Sequence, residues 1–433
     1  MEFLATFRKG GVHPKDKKEL ANRQPIEPFT AVSELIVPLS QHTGSPAKPL
    51  KAKGDVVVAG EKIGESTSFI SANIHSPVNG TISDIKKITL ANSVISDAFV
   101  ITVDSENPFG KWSLQERKEY TGAELLNLVK EMGIVGAGGA AFPTHVKLSI
   151  PRGKKVNDLV INGVECEPYL TSDHRLMLER GEEILEGILY VAKIVNPQKI
   201  TIGIENNKRD AIDNLRQIIE EKGHPIEIVP LKVKYPQGDE KQLLKAIIKR
   251  EVPSGKLPLD VGAVVVNIGT AFAIWEAVAL NKPFIERVVT LSGESIKDKK
   301  NLLVPIGTKV EDLLKLTACE ETDNYIAGGP MMGFAFWDTT TPITKGTSGI
   351  LALAPSKKGR VTTPCISCGR CITACPMGLQ PTKLYRLIDH GQYEVAMANH
   401  LMDCKECGCC AYVCPANLPL VHAMKLGKRV GRK

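Results

Sequence analysis

The feature that most constrains this 433-residue chain is a cysteine pattern that occurs twice near its C-terminal end. The first cysteine run is Cys365, Cys368, Cys371 and Cys375, followed by Pro376. The second cysteine run repeats the spacing as Cys404, Cys407, Cys410 and Cys414, followed by Pro415. Nine of the eleven cysteines lie between positions 365 and 414, which indicates ligands of a cofactor and not a disulfide framework.

Each run suits one [4Fe–4S] cube, because three closely spaced thiolates can bind three irons of the cube. The fourth cysteine follows a wider gap and is expected to bind the other cube, as in bacterial two-cluster ferredoxins. The predicted ligand sets are Cys365, Cys368 and Cys371 with Cys414, and Cys404, Cys407 and Cys410 with Cys375. Zinc is the disfavoured alternative, since its tetrahedral sites prefer paired CxxC knuckles. Cys409 breaks the spacing and is predicted not to be a ligand.

The bulk composition is that of a globular chain, with 43% hydrophobic and 24% charged residues. Its length predicts about two to four domains. Residues 1–11 lack the apolar core of a signal peptide. The longest apolar stretch, Gly262–Leu280, contains Asn267 and Glu276, so no transmembrane segment is predicted.

The net charge is +7, and positive charge is most concentrated in the C-terminal tail. No acidic residue follows Glu406, whereas Lys425, Lys428, Arg429, Arg432 and Lys433 do. A solvated, partly disordered end is the first interpretation, and contact with an anionic partner or membrane surface is the alternative. Nucleic acid is not indicated, because the basic residues lack interleaved aromatic side chains.

Residues 1–105 predict a β-rich module, because short apolar runs alternate with Pro, Gly and Asn turns. Lys51–Gly64 and Ile74–Ile85 resemble the two halves of a biotinyl/lipoyl-type barrel-sandwich. Carrier domains of that type present a lysine on the hairpin between the halves. No lysine lies between Ile63 and Ile85, so the module is predicted to be structural.

The rest of the chain divides into three further parts. Residues 106–285 alternate strand-like and helical runs, which is the α/β pattern. Residues 286–350 return to short strands and resemble a small SLBB β-grasp module. Residues 351–433 hold the cysteine runs, and the helical stretches Pro381–His390 and Tyr393–Met402 between them favour an α-helical ferredoxin arrangement.

A glycine-rich loop is the second strong feature. Gly136, Gly138 and Gly139 leave peptide N–H groups uncovered, and Lys147 follows closely. Such a nest suits a phosphate, although many glycine runs are ordinary turns. A dinucleotide GxGxxG fingerprint is disfavoured, because Pro143 falls inside the helix that should follow.

Four segments carry a resemblance to the NADH-oxidising flavin subunit of respiratory complex I. GAGGAAFPTHVK (Gly136–Lys147) resembles its GRGGAGFPTGLK, and NGVECEP (Asn162–Pro168) resembles NADExEP. YPQGDEKQLLKAI (Tyr235–Ile247) resembles YxxGEETALLxSI, and VVNIGTA (Val265–Ala271) resembles VVNNVETL. The full layout, with GGVHP (Gly10–Pro14) and two cysteine runs, is similar to the C-subunit family of Rnf complexes, which are membrane-bound ferredoxin:NAD+ oxidoreductases that pump Na+ or H+.

The resemblance implies an α/β multidomain chain. Its centre would be a Rossmann-like FMN domain of the complex I flavin-subunit type. An N-terminal barrel-sandwich module, an SLBB β-grasp module and a C-terminal α-helical ferredoxin domain with two [4Fe–4S] clusters would flank it. The chain would lie on the cytoplasmic face of the membrane as a peripheral subunit. Its partners would be the other Rnf subunits, NADH/NAD+ and, through the complex, ferredoxin.

The resemblance also implies roles for single residues. Gly136, Gly138 and Gly139 would hold the FMN phosphate, with Lys147 adding charge. Asn162 and Glu165 would meet the flavin, and Gly238, Asp239, Glu240, Asn267 and Thr270 would line its pocket. Phe142 and Glu167 are the candidates for the nicotinamide cofactor. Three positions depart from the complex I pattern: Ala137 replaces the loop arginine, Val164 an aspartate and Asp239 a glutamate. The charge balance around the phosphate and the ring would therefore differ.

These parts predict an NADH-oxidising or NAD+-reducing iron–sulfur flavoprotein subunit. NADH delivers two electrons as a hydride and a cube accepts one, so a flavin is needed as the converter. Hydride transfer needs no catalytic acid or base, and none is predicted. One alternative is a non-catalytic iron–sulfur adaptor with a vestigial flavin fold. Another, the flavin subunit of a soluble hydrogenase or formate dehydrogenase, is disfavoured by the N-terminal β module.

Overall fold

The computed structural model describes residues 4–116, 118–320, 322, 324–355 and 361–431. The strands are β1 Ile26–Pro28, β2 Glu34–Pro38, β3 Lys48–Pro49, β4 Val56–Val57, β5 Lys62–Glu65, β6 Ile74–His75, β7 Gly80–Thr89, β8 Ile95–Val103, β9 Asp158–Gly163, β10 Lys199–Glu205, β11 Ile226–Leu231, β12 Ala263–Asn267, β13 Glu286–Ser292, β14 Lys300–Pro305, β15 Tyr325–Ala327, β16 Phe334–Phe336 and β17 Gly349–Ala352.

The α-helices are α1 Gly122–Glu131, α2 Thr144–Leu148, α3 Ser172–Glu179, α4 Gly181–Val195, α5 Arg209–Lys222, α6 Glu240–Ile247, α7 Ile268–Ala279, α8 Val310–Lys315, α9 Arg370–Ala374, α10 Pro381–Asp389, α11 Tyr393–Ala398, α12 Cys409–Tyr412 and α13 Leu420–Val430. Short 3-10 helices cover Lys18–Leu20, Pro258–Val261 and Leu401–Asp403. Within the described ranges, no helix is long and apolar enough to cross a membrane.

The N-terminal β module is built from two antiparallel sheets, in the orders β2-β8-β7-β4 and β3-β5-β6. Alternate side chains of β2 and β8, such as Leu35, Phe99 and Ile101, point into a shared core that also contains Ile63 and Ile74. Ile36 and Val100, which lie between them on these strands, are buried as well, so both faces of β2 and β8 are covered here. The β-rich prediction for this part of the chain is confirmed.

The central domain contains a parallel sheet in the order β11-β10-β9-β12. Strands β9 and β12 are largely apolar and buried, because helices such as α4 and α7 cover the sheet. The chain runs outward from β9 to β11 and then returns beside β9 as β12. This reversal opens a crevice at the carboxyl ends of β9 and β12, the usual ligand site of such sheets. The predicted α/β pattern is confirmed, although β11 was not predicted.

A mixed six-stranded sheet follows, in the order β1-β14-β13-β17-β15-β16. Its edge strand β1 comes from the N-terminal segment, which also bridges to the central domain between Val12 and Tyr235. The same segment reaches the first cysteine run, where the Gly11 N–H donates to the Ala374 carbonyl at 2.9 Å. Residues 5–28 therefore tie three parts of the molecule together.

The helices α9 to α13 form the C-terminal lobe, residues 361–431, around both cysteine runs. The predicted helices between the runs are confirmed as α10 and α11, although α11 ends at Ala398. The basic tail is helical as far as Val430, and Lys428 pairs with Glu406 at 2.7 Å, so this part is not the disordered end that was expected. Arg432 and Lys433 lie outside the described residues.

Candidate flavin crevice and iron–sulfur lobe

The four segments singled out in the sequence meet at the carboxyl edge of the parallel sheet. The Ala137 N–H in the glycine loop donates to Thr270 Oγ1 at 2.8 Å. Asn162, at the end of β9, donates from Nδ2 to the Gly238 carbonyl at 2.9 Å. Asn267 ends β12, and its Nδ2 lies 3.5 Å from the Asn162 carbonyl oxygen. Residues far apart in sequence thus surround one crevice.

The glycine loop has the shape that a phosphate requires. The Gly136 N–H donates to the Phe142 carbonyl at 2.8 Å, which closes the loop. Gly138 and Gly139 are exposed, and Gly139 has a φ of +95° with no atom within 4 Å of where a Cβ would lie. A side chain at Gly139 would be strained and would fill this open space. The residues present therefore fit an FMN phosphate.

The loop faces the N-terminus of α7. Asn267 caps this helix, with Oδ1 accepting from the Gly269 N–H at 2.9 Å and the Thr270 N–H at 3.4 Å. The Cβ position of Gly138 lies 3.5 Å from Asn267 Cβ, so the loop and the helix start share a wall. The positive end of the α7 dipole adds to the attraction for an anion.

Lys147 is placed near the crevice but is not free. Its Nζ donates to Glu240 Oε1 at 2.9 Å and to the Val265 carbonyl at 3.1 Å. Both side chains of this pair are partly exposed, so the ion pair is weak. An anion at the loop would share Lys147 with Glu240.

Asp239 links the crevice to the C-terminal lobe. Its carboxylate caps α6 by accepting from the Gln242 N–H at 3.1 Å. Its Oδ2 lies 4.0 Å from Lys405 Nζ, in the second cysteine run. Burial raises the pKa of Asp239, with Lys405 and the helix N–H groups opposing it.

Glu165 is held rigidly behind the crevice. It adopts a positive φ of 45°, and its Oε1 accepts from the Asp173 N–H at 2.7 Å. Its Oε2 lies 3.7 Å from the ammonium of Lys18, a buried residue of the N-terminal segment. A flavin contact at Glu165 would therefore be positioned from three parts of the chain.

Asp173 is a residue of this site that the sequence did not reveal. Its Oδ2 accepts from Asn267 Nδ2 at 2.7 Å, while its N–H holds Glu165. It thereby joins two predicted flavin contacts. Burial raises the pKa of Asp173 to about 7, and the neighbouring Glu165 carboxylate contributes to this rise. The available signal was its place five residues after the NGVECEP motif, in what proves to be the first turn of α3.

Glu167 lies where a loop of the mixed sheet covers it. Its two carboxylate oxygens accept from the N–H groups of Met331 at 3.0 Å and Met332 at 2.9 Å, and the Tyr235 hydroxyl lies at 3.4 Å. Burial raises the pKa of Glu167 to about 7, against these hydrogen bonds. Phe142, the other predicted nicotinamide residue, is half-buried in the glycine loop, where its carbonyl accepts from the Gly136 N–H.

The second predicted ligand set is brought together in the C-terminal lobe. Cys375, Cys404, Cys407 and Cys410 line one cavity, together with Cys409. Burial raises the pKa of the Cys404 thiol to about 11 and that of Cys410 to about 12. Thiolates at these positions need a bound cation to offset their charge, which iron would supply.

Three members of the first predicted set, Cys365, Cys371 and Cys414, also lie together, nearer the surface. Cys371 is buried with Leu418 and Leu420, and Cys365, Cys410 and Cys414 pack against this group. Cys368 is exposed. Each run thus contributes its fourth cysteine to the neighbourhood of the other run. All described cysteines are free thiols, and among the described residues no close group of His, Cys, Asp or Glu would hold a single metal ion.

Cys409 and Cys166 are buried thiols outside these sets. The Cys409 thiol lies 3.9 Å from the Tyr235 carbonyl oxygen and packs with Val12 and Ala374. Cys166 Sγ accepts from the Gly238 N–H at 3.3 Å. Burial raises the pKa of Cys166, whereas a hydrogen bond with Cys407, together with burial, raises the pKa of Cys409. Cys166 packs against an apolar core cluster. Cys409 lines the same cavity as the second predicted set, so its non-ligand role stays a prediction.

The flavin crevice and the second-run cavity share a wall. Tyr235, Cys407 and Cys409 belong to one apolar cluster, and Cys166 packs against it. Gly238, which accepts from Asn162 in the crevice, donates to Cys166 on the other side of this wall. The arrangement therefore places the cysteine cavity of the second run beside the glycine-loop crevice, with Cys166 and Tyr235 between them.

Comparison with known proteins agrees with this arrangement. The RnfC barrel sandwich hybrid domain matches residues 5–106, the Nuo51 FMN-binding domain matches residues 129–276, and the 4Fe-4S dicluster domain matches residues 364–418. A relative from Clostridium ljungdahlii, the C subunit of a proton-translocating ferredoxin:NAD(+) oxidoreductase complex, is 44% identical over 91% of this chain and 87% of its own.

Two further relatives extend the comparison. The C subunit of an Na(+)-translocating ferredoxin:NAD(+) oxidoreductase complex from Acetobacterium woodii is 39% identical over 97% of this chain and 96% of its own. The C subunit of an ion-translocating oxidoreductase complex from Rhodobacter capsulatus is 40% identical over 98% of this chain and 84% of its own. The solved NAD+-reducing [NiFe]-hydrogenase in its H2-reduced state has a TM-score of 0.50 at 15% identity, over 72% of this chain and 60% of that chain, and shows likeness of fold alone.

Proposed function

Because the chain belongs to the C-subunit family of ion-translocating ferredoxin:NAD(+) oxidoreductase (Rnf) complexes, we propose that it exchanges hydride between NAD(H) and FMN. It then passes single electrons through two [4Fe–4S] clusters. The observation that carries this proposal is the shared wall of Cys166 and Tyr235 between the crevice and the second-run cavity. A hydride acceptor and a one-electron acceptor are useful together only when they are close neighbours.

FMN is assigned to the crevice at the end of β9 and β12. Gly136, Gly138 and Gly139 offer peptide N–H groups to its phosphate, and Lys147 adds charge. The ring would contact Asn162, Glu165, Gly238, Asp239, Glu240, Asn267 and Thr270. When bound, FMN supplies the conversion between a two-electron hydride and single electrons. The protein holds the ring rigidly and needs no catalytic acid or base.

The nicotinamide cofactor is assigned to the side of the crevice near Phe142 and Glu167. Glu167 is engaged by the Met331 and Met332 N–H groups, so it can meet the cofactor only after residues 328–333 move away. We therefore propose that residues 328–333 cover the nicotinamide side of the crevice. The raised pKa of Glu167 makes an uncharged carboxyl accessible near neutral pH, which lowers the cost of that movement.

The two clusters would act in a fixed order. Cys375, Cys404, Cys407 and Cys410 would hold the cluster nearer the flavin, because Cys407 packs against Tyr235. Cys365, Cys368, Cys371 and Cys414 would hold the outer cluster, where Cys368 is exposed. The exposed Cys368 makes the outer cluster the one that would exchange electrons with a partner at the surface of the lobe.

The location and the partners of the chain are inferred from its relatives, which are named as subunits of ion-translocating complexes. We infer that this chain is a peripheral subunit on the cytoplasmic face of a membrane. Its partners would be the other subunits of the complex, and it would reach ferredoxin through them. We retain the four parts 1–105, 106–285, 286–350 and 351–433, with an SLBB-like β-grasp for the third, as part of this proposal.

Stopped-flow spectroscopy tests the function directly. Anaerobic, FMN-loaded and iron-loaded protein is mixed with NADH, and the oxidised-flavin band and the cluster absorbance are followed together. We expect the flavin to bleach first and the clusters to follow, and we expect NADH to act better than NADPH. A flavin that NADH does not bleach would favour a non-catalytic iron–sulfur adaptor.

A further inference from the structure

The hairpin between the two halves of the N-terminal β module carries an uncovered aromatic side chain. Residues 66–73 connect β5 to β6 and contain no lysine. Phe69 lies in this hairpin and is 66% exposed, and it does not belong to the core of the module. A phenylalanine ring in water gives up most of the free energy that burial would provide. The ring is therefore placed for a contact outside the module.

Short polar side chains hold the backbone of this hairpin in place. Thr67 Oγ1 donates to the Pro46 carbonyl at 2.9 Å. Ser71 Oγ donates to the Ser45 carbonyl at 2.9 Å. Phe69 lies between these two contacts, so the backbone that carries its ring is fixed before any ligand binds. A fixed position lowers the entropic cost of binding.

A short segment before β3 joins the hairpin to the glycine loop. On one side, the Ser45 N–H donates to the Ile70 carbonyl at 3.0 Å. On the other side, the Thr43 N–H donates to the Ala141 carbonyl at 3.0 Å, and Thr43 Oγ1 donates to the Ala140 carbonyl at 2.9 Å. The hairpin and the glycine loop are thus parts of one hydrogen-bonded unit. A ligand that lies along the glycine loop therefore has the hairpin as its neighbour.

The ring of Phe69 contacts α2, the helix that follows the glycine loop. The ring centroids of Phe69 and His145 lie 6.3 Å apart with their planes at 90°, the edge-to-face arrangement that aromatic pairs prefer. Burial lowers the pKa of His145, against a hydrogen bond that it makes to the Phe69 backbone, so the imidazole is uncharged at neutral pH. His145 follows Phe142, a predicted nicotinamide residue, by three positions. Phe69 thus lies on the Phe142 side of the loop.

We propose that Phe69 is the stacking surface for the adenine of NAD(H), so that the hairpin of the N-terminal β module completes the cofactor site. This inference rests on the proposed function, because it takes the nicotinamide to lie on FMN near Phe142. The dinucleotide would extend outward past the glycine loop, and its adenine would lie on the exposed face of the Phe69 ring. Purine bases stack on aromatic side chains without requiring hydrogen bonds from them.

Stopped-flow bleaching of the flavin tests the proposal with two hydride donors, on the full chain loaded anaerobically with FMN and iron. NADH contains the adenine, whereas reduced nicotinamide mononucleotide contains the same hydride donor without it. In Phe69→Ala we expect the half-saturating concentration of NADH to rise about tenfold, because one base–aromatic stack is lost. The rate at saturation and the half-saturating concentration of the mononucleotide should not change, since Phe69 does not touch the reacting atoms.

Two further variants control for indirect effects. Phe69→Trp keeps a flat aromatic ring, and we expect it to bind NADH as tightly as the parent chain. Val56→Ala shortens another apolar side chain of the same module, at a residue that is 69% exposed, and should leave both donors unaffected. The proposal is overturned if Phe69→Ala binds NADH like the parent chain. It is also overturned if Phe69→Ala weakens both donors equally, because the hairpin would then support the site only structurally.

Failure of this inference can be told apart from failure of the proposed function. ADP-ribose contains the adenine but no hydride donor, and its binding to the oxidised chain is read by calorimetry. We expect Phe69→Ala to bind ADP-ribose about tenfold more weakly than the parent chain does. If NADH does not bleach the parent flavin but ADP-ribose binding still depends on Phe69, the function fails and the adenine site stands. If NADH bleaches the flavin and ADP-ribose binds both chains alike or neither chain, the adenine site fails and the function stands.

Discussion

At the scale of single residues, Asp173 shows how a buried carboxylate can shape a site without touching its ligand. It holds Asn267 through Oδ2 at 2.7 Å and Glu165 through its own N–H at 2.7 Å. In Asp173→Ala, the Asn267 amide loses a buried acceptor, which costs about 1–3 kcal/mol. We expect FMN to bind about tenfold more weakly in this variant, as measured by fluorescence titration of the flavin.

Asp173→Asn is the matched control, because its side-chain oxygen can still accept from Asn267. We expect FMN affinity close to that of the parent chain, with a shift of the flavin reduction potential because a nearby titrating carboxyl is lost. Equal loss of FMN in both variants would show that the charge of Asp173, and not the hydrogen bond, is what matters.

The raised pKa of Glu167 predicts how the stability of the folded chain depends on pH. Burial raises its pKa from 4.5 to about 7, so between these values the folded chain keeps a proton that the unfolded chain has released. Stability from this group is therefore complete below about pH 4.5 and is lost as the pH rises toward 7. The loss is at most about 3 kcal/mol. In Glu167→Gln we expect a flatter dependence of the melting temperature on pH across this range, measured by scanning calorimetry. An unchanged slope would mean that Glu167 is ionised throughout.

At the scale of elements, the glycine loop can be tested against a loop of similar backbone conformation. Gly139 and Gly153 have φ values of +95° and +84°, and neither has an atom within 4 Å of its Cβ position. Alanine at either position costs a similar backbone strain of about 1 kcal/mol. We expect Gly139→Ala to lose FMN and Gly153→Ala to retain it, at comparable melting temperatures. Retention of FMN by both variants would place the phosphate elsewhere.

The elements also show why some features were predictable and others were not. The cysteine spacing and the glycine loop are local patterns, and their chemistry can be inferred from neighbouring residues. The strand Ile226–Leu231 was missed because a short apolar run next to a helix carries little periodic signal. The contacts of Glu167 with Met331 and of Glu165 with Lys18 join residues about 150 positions apart, and no local pattern encodes them.

At the scale of the whole molecule, contacts from the N-terminal β module and from the buried Lys345 show that several parts of the chain support one crevice. Lys345 donates to the carbonyls of Asn73 at 2.8 Å and Gly133 at 2.7 Å, so it joins the mixed sheet to the N-terminal β module and to the start of the glycine loop. Thr43 donates from Oγ1 to the Ala140 carbonyl at 2.9 Å. The N-terminal β module, which has no lysine on the hairpin between its halves, thus supports the back of the glycine loop.

The crossed arrangement of the cysteine runs makes the last prediction, because it couples the two halves of the C-terminal lobe. Cys414 packs with Cys365 and Cys371, whereas Cys375 lines the cavity of the second run. Loaded anaerobically, the chain should contain about eight irons, since two [4Fe–4S] cubes hold four each.

In Cys414→Ala we expect loss of the outer cluster and retention of the inner one, so that NADH still reduces the remaining cluster. In Cys375→Ala we expect the reverse, with the flavin bleached but no electron reaching the outer cluster. Cys409→Ala, a buried thiol between two ligands, is the control and should keep its iron. Iron analysis with electron paramagnetic resonance of the reduced protein separates these cases. If Cys414→Ala disturbs only the cluster beside Tyr235, each run closes on itself and the order of electron transfer proposed for the lobe is wrong.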